Sequence, residues 1–582
     1  METEIKHTTE NSLSRRNFLK GSFAVAGTAA LAGLVTDPSA NIENSSADTR
    51  LEIIWDYEFD IVIPGMGAAG LASAISCSNE NPDQKILLFD KASEDHAGGN
   101  SRVAMNAFWS GCESPQMTKD YLIDITDPYH SFGQNEAYFE KHAEYFFNLG
   151  NWYMENCPTC PLMEFRHAEY PSSPYAVGSH SFTAAAGFGF QRVWLGLKDS
   201  VDSLHNVEIR YSLRFVDLIF NDSSEVIGIK AVEDAKNFES DGTLIPLSEE
   251  KGRVVNIKAR KGVIICVGGY ENNDEMKSNY LRRSGEDACG YCGTPYNTGD
   301  GHLIAISRGL KMWHMNMATQ GTFKGPIIPW VEDSVKFNIG LGCEIASDPG
   351  YIYVNARTGK RFVDETSGGE HGFNDDIWHL FDAKEIRFIN LPWWMVFDKA
   401  ALENGTIGQY SSYDQWVSMI CGYTFSADME FEVEKGLCFK ADTIEELATK
   451  MQLDPQALKE TLERYNGFVE KGEDEDFGRG MVSEEALGTG GQSHGGARKL
   501  ESPFYAIKQW PLMVNTQGGP QHNADRQLLR AADDSPIPRL YAAGEYGSMW
   551  GWCYQGGANV GECMISGQMA GEGVSALSAW DA

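Results

Sequence analysis

At 582 residues, 42% of them hydrophobic and 22% charged, the chain is long enough for two to four domains and has the balance of a soluble globular protein. A formal net charge of −34 and the absence of any Lys/Arg cluster argue against a nucleic-acid partner. The acidic run Glu473 to Asp476 is read as solvated surface, with docking of a basic redox partner as the alternative.

The chain starts with a targeting pattern. Ser14, Arg15, Arg16, Asn17, Phe18, Leu19 and Lys20 precede an apolar, small-residue run from Gly21 to Val35, which reads as a twin-arginine signal over residues 1–40, with a linker at 41–50. The run is shorter than the roughly 20 residues a membrane span needs, so no integral span is expected in the mature form. Twin-arginine substrates cross the membrane already folded, so the expected location is the periplasm or the outer face of the cytoplasmic membrane, for an enzyme that acquires its cofactor beforehand. Twelve cysteines in a chain this long do not make a small disulfide framework. Cys157 with Cys160 and Cys289 with Cys292 could in principle form a four-thiolate metal or iron–sulfur site, but nothing in their flanks fixes that geometry, and no metal is assigned.

A strand is expected from Tyr57 to Ile63, followed by Gly65, Met66, Gly67, Ala68, Ala69 and Gly70 and then a helix over Leu71 to Cys77. In that order the glycines have separate tasks: Gly65 permits a tight turn, Gly67 lets backbone approach a pyrophosphate, and Gly70 lets the helix pack closely. The helix N-terminus then faces the phosphates. A second strand, Lys85 to Phe89, ends at Asp90, where a carboxylate can bond ribose hydroxyls, with Lys91 beside it. This establishes a dinucleotide site but does not choose between FAD and NAD.

Later segments add to it. Gly98, Gly99, Asn100 and Ser101 follow the acidic residue; a strand from Ile257 to Val267 ends in Gly268 and Gly269; Asn297 to Gly301 contains Asp300. Near the end, Ile537 to Glu545 precedes Gly556, Gly557, Ala558, Asn559 and Val560, which open a small-residue helix running to about Ser575. Taken together, these segments resemble the fumarate reductase and 3-ketosteroid dehydrogenase superfamily of flavoproteins, from about Asp56 to Gly573. The resemblance implies FAD, with Glu545 on the ribityl chain and the backbone at Ala558 to Val560 facing the pyrimidine end, where a helix N-terminus stabilises the charge of reduced flavin. Some members bond flavin covalently through a histidine; Asn100 stands at that place, so noncovalent FAD is expected. The implied fold is α/β, a Rossmann-type FAD-binding domain (51–320 and 500–582) with an inserted α+β substrate cap domain (321–499).

The substrate positions depart from the fumarate pattern. Tyr554 and Gln555 stand where an arginine precedes the double glycine, Leu402 where the family's proton-donating arginine stands, and Val514 where a histidine is expected; the family's His-Pro reads near Met317 and Ala318. Each charge-assisted bond to a carboxylate is worth about 1.5–3 kcal/mol, so losing several disfavours fumarate. Glu365 still matches a family proton-relay residue, and without its arginine neighbours it is read as structural. The segment Trp550 to Gly557 is similar to the ketosteroid branch, although Gly556 replaces that branch's serine. Tyr554 is the catalytic candidate, because a phenol can donate to a developing enolate or protonate carbon. Trp393, Trp394, Tyr170 and Tyr175 are candidates for lining an apolar pocket.

The expected function is an exported reductase that adds hydride and a proton to a C=C bond conjugated to a carbonyl, in a bulky, largely uncharged substrate such as a 3-oxo-steroid. Its electrons would come from an external donor such as a cytochrome or a reduced flavin carrier. Alternatives are a 3-ketosteroid dehydrogenase working oxidatively, a fumarate-reductase-like dicarboxylate reductase, and a non-catalytic electron-relay flavoprotein.

Overall fold

The apolar run Tyr57–Pro64 becomes an inner strand of an eight-stranded sheet in the computed structural model. Residues 53–582 are described, apart from 105, 127–133, 171, 188–190, 282–288, 333, 344–347, 367–374, 406–415, 421, 481–495 and 552–553. The expected export signal and linker, with Trp552 and Cys553, therefore lie outside the described residues. Tyr57–Pro64 has parallel neighbours on both sides, Ile61 opposite Ile86 and Val62 opposite Val263, and its last four residues are buried, as a strand covered on both faces requires. The order across the sheet is Gln527–Leu529, Pro536–Ala542, Arg253–Ile265, Tyr57–Pro64, Ile86–Phe89 and Val207–Arg210. The hairpin Leu213–Phe220/Val226–Glu233 also pairs with Arg253–Ile265.

Segments from near the two ends of the described residues meet in this layer. Pro536–Ala542 lies parallel to Arg253–Ile265, Leu540 opposite Val263, and the last helix, Ala558–Ser575, packs on the first, Ala68–Glu80. This is the α/β dinucleotide-binding architecture expected from the sequence. Glycine allows the first helix to start where it does. A Cβ on Gly70 would lie 1.8 Å from the Gly65 carbonyl oxygen, and Gly65 itself has φ +103° with the Cys266 carbonyl 2.0 Å from where its Cβ would be.

A second sheet is organised by one long strand, Phe504–Thr516. It pairs with Trp393–Asp398 and Cys438–Ala441 along its first half and with Ala318–Gly325 and Gly290–Tyr291 along its second. Tyr351–Asn355 lies outside Trp393–Asp398. Helices Ile444–Lys450 and Pro455–Lys471, capped by the side chains of Thr443 and Asp454, cover one face. Trp393 and Trp394, expected as pocket residues, sit instead in the two cores on opposite faces of this sheet, because adjacent strand residues point opposite ways and both faces are covered. Trp393 stacks on Trp378 with centroids 4.5 Å apart.

Glu365 is locked into this region. Arg361 grips it with two bonds of 2.7 Å and also holds Asp474 at 3.0 Å, and Arg479 reaches Glu365 at 3.2 Å. The carboxylate has its cations, which come from Arg361 four residues back and Arg479 over a hundred residues on, and it serves as a structural pivot. The acidic run is exposed surface at Glu473, Glu475 and Asp476, with Asp476 paired to Arg464 at 2.6 Å and Glu475 to Lys471; Asp474 alone departs from the expectation and is buried on Arg361. Glu365→Gln should lower the melting temperature, with a cost of about 1–3 kcal/mol, because Arg361 keeps Asp474 and Arg479 keeps its backbone carbonyl partners. Thermal melts and turnover per bound flavin check this. Lost turnover at unchanged stability would restore the relay role.

Candidate functional site

At the ends of the first sheet's strands Tyr57–Pro64, Ile86–Phe89 and Arg253–Ile265 lies a cavity of about 830 Å³, open to solvent. Eleven of the residues assigned from sequence line it: Gly65, Gly67, Ala69, Asp90, Lys91, Gly99, Asn100, Ser101, Gly268, Asp300 and Glu545. The wall is thus built from segments more than 450 residues apart in the chain. Ala68 and Gly70 are buried in the first helix behind this wall. Gly67 caps that helix, and its missing side chain leaves its nearest neighbour, the Ser101 hydroxyl, 3.4 Å from where a Cβ would be. Backbone can therefore approach a pyrophosphate there, at a helix N-terminus that favours anions.

Asp90 ties the glycine loop to the second strand. Its two oxygens accept from the Met66 amide at 3.2 Å and the Ala92 amide at 2.9 Å. Burial pushes its carboxyl up from the ordinary value, against the backbone N–H groups of Ala92, Met66 and Gly98 that favour the charge. Each oxygen retains acceptor capacity for ribose hydroxyls.

Asp300 and Lys91 belong to one knot. Asp300 opens helix Asp300–Ser307, where the helix dipole favours a carboxylate. Arg214 holds it with two bonds, 2.9 and 3.0 Å, and Lys91 reaches the same carboxylate at 2.9 Å and also donates to Thr298. Arg214 continues to Glu250 at 2.8 Å. Burial raises the Asp300 carboxyl, but Lys91 and Arg214 outweigh it and hold the group well below the usual carboxylate range. Asp300 therefore lines the cavity chiefly as the anchor of Lys91.

Glu545 sits with three residues that sequence reasoning left out. The Thr516 amide, at the end of the long strand, donates both to Glu545 and to Glu271. Asn297 donates to Glu545 at 3.4 Å. Asn100 accepts from the Thr294 amide at 2.9 Å and donates to the Val514 carbonyl at 3.2 Å, so its amide is fixed on the wall. Glu271 carried only one signal, its place two residues after the Gly268-Gly269 pair that follows a sheet strand.

Ala558, Asn559 and Val560 form the first turn of the last helix but do not wall the cavity; the Ala558 amide already donates to the Gln555 carbonyl at 2.8 Å. Cys563, which does line it, shares a helix face with Asn559 and Val560. Glu562 on this helix fixes the preceding loop by accepting from Ser548 at 2.6 Å and the Met549 amide at 2.8 Å, with Arg526 at 3.4 Å.

That loop delivers Tyr554, which is 3% exposed, its ring 6.3 Å from that of Trp550 and its carbonyl bonded by the Tyr170 hydroxyl at 3.2 Å. Gln555 accepts from the Tyr121 hydroxyl at 2.6 Å and from the Glu169 amide at 3.0 Å. Glu169 in turn accepts the Gly556 amide. A Cβ on residue 556 would meet the Glu169 carboxylate at 2.8 Å and the His167 ring at 2.9 Å, so these side chains fill the space of the serine that the sequence lacks. Tyr170 thus belongs to this region, whereas the Tyr175 carbonyl accepts from the Cys112 thiol beneath it.

The paired cysteines lie apart. Cys157 and Cys160 are buried around Tyr153, Cys289 beside Tyr270, and Cys292 beside Phe323 and Leu512. Among the described residues no group of three or more His, Cys, Asp or Glu side chains is arranged to hold a metal ion. Among them, too, no helix is long and apolar enough to cross a membrane.

FAD fits these walls: a glycine turn open to a helix N-terminus, and on the same wall a carboxylate, Asp90, with acceptor capacity for ribose hydroxyls. The FAD binding domain family model matches residues 60–560. The acrylate reductase flavoprotein subunit of Shewanella woodyi is 24% identical over 97% of this chain and 98% of its own length. Digoxin reductase of Eggerthella lenta is 24% identical over 98% of both. The crystal structure of 3-ketosteroid delta1-dehydrogenase from Sterolibacterium denitrificans has the same fold, with a TM-score of 0.69 at 19% identity, covering 89% of this chain and 100% of that one. Because the family match runs through both the N-terminal glycine loop and the C-terminal strand that close the cavity, the chain belongs to the FAD binding domain family, in the superfamily of fumarate reductases and 3-ketosteroid dehydrogenases, and is an FAD-dependent oxidoreductase.

Proposed function

We propose that this enzyme reduces a C=C bond conjugated to a carbonyl, in a bulky and largely uncharged substrate such as a 3-oxo-steroid, after export by the twin-arginine route. The observation that carries this reading is the setting of Tyr554. Its neighbours are Trp550, Tyr170, Gln555 and, one residue on, the Glu169 carboxylate at Gly556. A dicarboxylate would meet the Glu169 carboxyl group there in place of the arginine of the fumarate pattern, whereas a neutral ketone needs only a donor.

Bound FAD supplies hydride, refilled by an external donor such as a cytochrome or a reduced flavin carrier. The residues of the chain do the rest. The Tyr554 phenol holds a proton for the substrate's developing enolate oxygen or its carbon. Trp550 and the loop pinned by Glu562 keep that phenol in place, and burial excludes water from it. The likeness to digoxin reductase supports a steroidal substrate, and the mature enzyme would work in the periplasm or on the outer face of the membrane.

The likeness to an acrylate reductase subunit over nearly the whole chain favours a second reading, a small unsaturated acid. Anaerobic assay of the FAD-loaded protein with reduced viologen separates the two. Steroidal enones should reoxidise the flavin at least tenfold faster than acrylate or fumarate. Rapid turnover of the small acids alone would overturn the proposal.

A further inference from the structure

The Thr516 amide is shared between two carboxyl groups, with Glu271 Oε1 at 2.9 Å and Glu545 Oε1 at 3.0 Å. Glu271 is 2% exposed, and its Oε2 is buried without a hydrogen-bond partner; Glu545 opens onto the cofactor cavity. The surrounding groups are neutral. Asn100 bonds Glu271 at 3.4 Å and Asn297 bonds Glu545 at 3.4 Å. The titratable neighbours are Tyr270 and Cys563, whose phenol and thiol burial pushes up, so both stay protonated. Among the described residues no Lys, Arg or His forms an ion pair with either carboxyl.

Two carboxyl groups meeting at one N–H without a cation, Glu271 buried and Glu545 facing the cavity that the flavin would fill, oppose each other's ionisation. Burial raises both groups, and each carboxyl acts on the other. We propose that Glu271 and Glu545 form a carboxyl pair that shares one proton beside the bound flavin and retains that proton more tightly when the flavin is reduced. The two titrate as a unit, with one net negative charge at neutral pH and two above the pair's upper ionisation.

The consequence concerns proton balance. An external reductant delivers two electrons and the flavin takes one proton, leaving added negative charge beside the pair. Where the pair has lost its proton in the oxidised enzyme, reduction draws one back from solvent, giving two protons per two electrons. This rests on FAD binding and is independent of which substrate the enzyme reduces.

Spectroelectrochemical titration of the FAD-loaded protein against pH tests it without any substrate. On the alkaline side of neutrality the wild-type midpoint should fall with pH more steeply than that of Glu271→Gln. The excess should approach one proton per two electrons, tenfold in the reduction equilibrium per pH unit, about 30 mV. Equal slopes throughout pH 6 to 9.5 would overturn the proposal. Infrared difference spectra of the wild-type protein on reduction guard against a variant that fails to fold. On the alkaline side of neutrality they should show a deuterium-sensitive protonated-carboxyl band appearing on reduction, and its absence there would also refute the shared proton.

Discussion

Tyr554→Phe should lower enone reduction by about 10²–10⁴-fold, the usual contribution of a positioned general acid. The substitution removes one oxygen and keeps the ring, so packing against Trp550 and the bond from Tyr170 to the residue-554 carbonyl persist. FAD content and melting temperature should therefore stay near wild type, and the loss should fall on kcat more than on KM, because the proton is needed in the transition state more than in binding. Stopped-flow reoxidation of pre-reduced flavin by the enone isolates that step. Unchanged reoxidation would mean that the phenol only packs, and Tyr170, with Glu169 and His167 beside Gly556, would become the titratable groups to examine.

What could be read in advance depended on whether a residue's task is local. The first strand, glycine loop and helix are local, and the expected helix at Leu71 to Cys77 lies inside the observed Ala68–Glu80. The last helix was legible for the same reason, as a run of small residues after two glycines, and Ala558–Ser575 ends where expected. Asp300 was recognised by position, but its role was not. Its partner Arg214 lies 86 residues earlier in a hairpin whose pattern carries no charge signal, so only the fold reveals that the carboxylate is already taken. Glu271, Thr516 and Glu169 were missed on similar grounds. Thr516 ends a strand that belongs mostly to the second sheet and crosses to the cofactor wall only with its last residues. Trp393 and Trp394 misled because an aromatic pair looks the same in a pocket and in a strand buried on both faces.

The knot around Asp300 gives the second large effect. In Asp300→Asn the shape survives while the charge that balances Lys91 and Arg214 is gone. Arg214 keeps Glu250, yet Lys91 keeps the Thr298 hydroxyl and only the charge of neighbouring Asp90, in a site where the ammonium is already disfavoured by desolvation. Breaking a buried pair in this way typically costs about 3–5 kcal/mol. Against a total stability of roughly 5–15 kcal/mol, that should yield protein depleted in FAD, since Lys91 and its strand end form the cavity wall. The effect should depend on pH with a definite sign. Asp300 is depressed in the folded state, so its contribution is complete above its unfolded value near ~4 and is lost as pH falls below that toward the folded value. The gap in melting temperature between wild type and Asp300→Asn should therefore be constant from pH 8 to 5 and narrow below about 4. A gap that widens with acid would place the stabilising charge elsewhere, and flavin absorbance per protein, measured alongside, would show whether the knot holds the cofactor or only the fold.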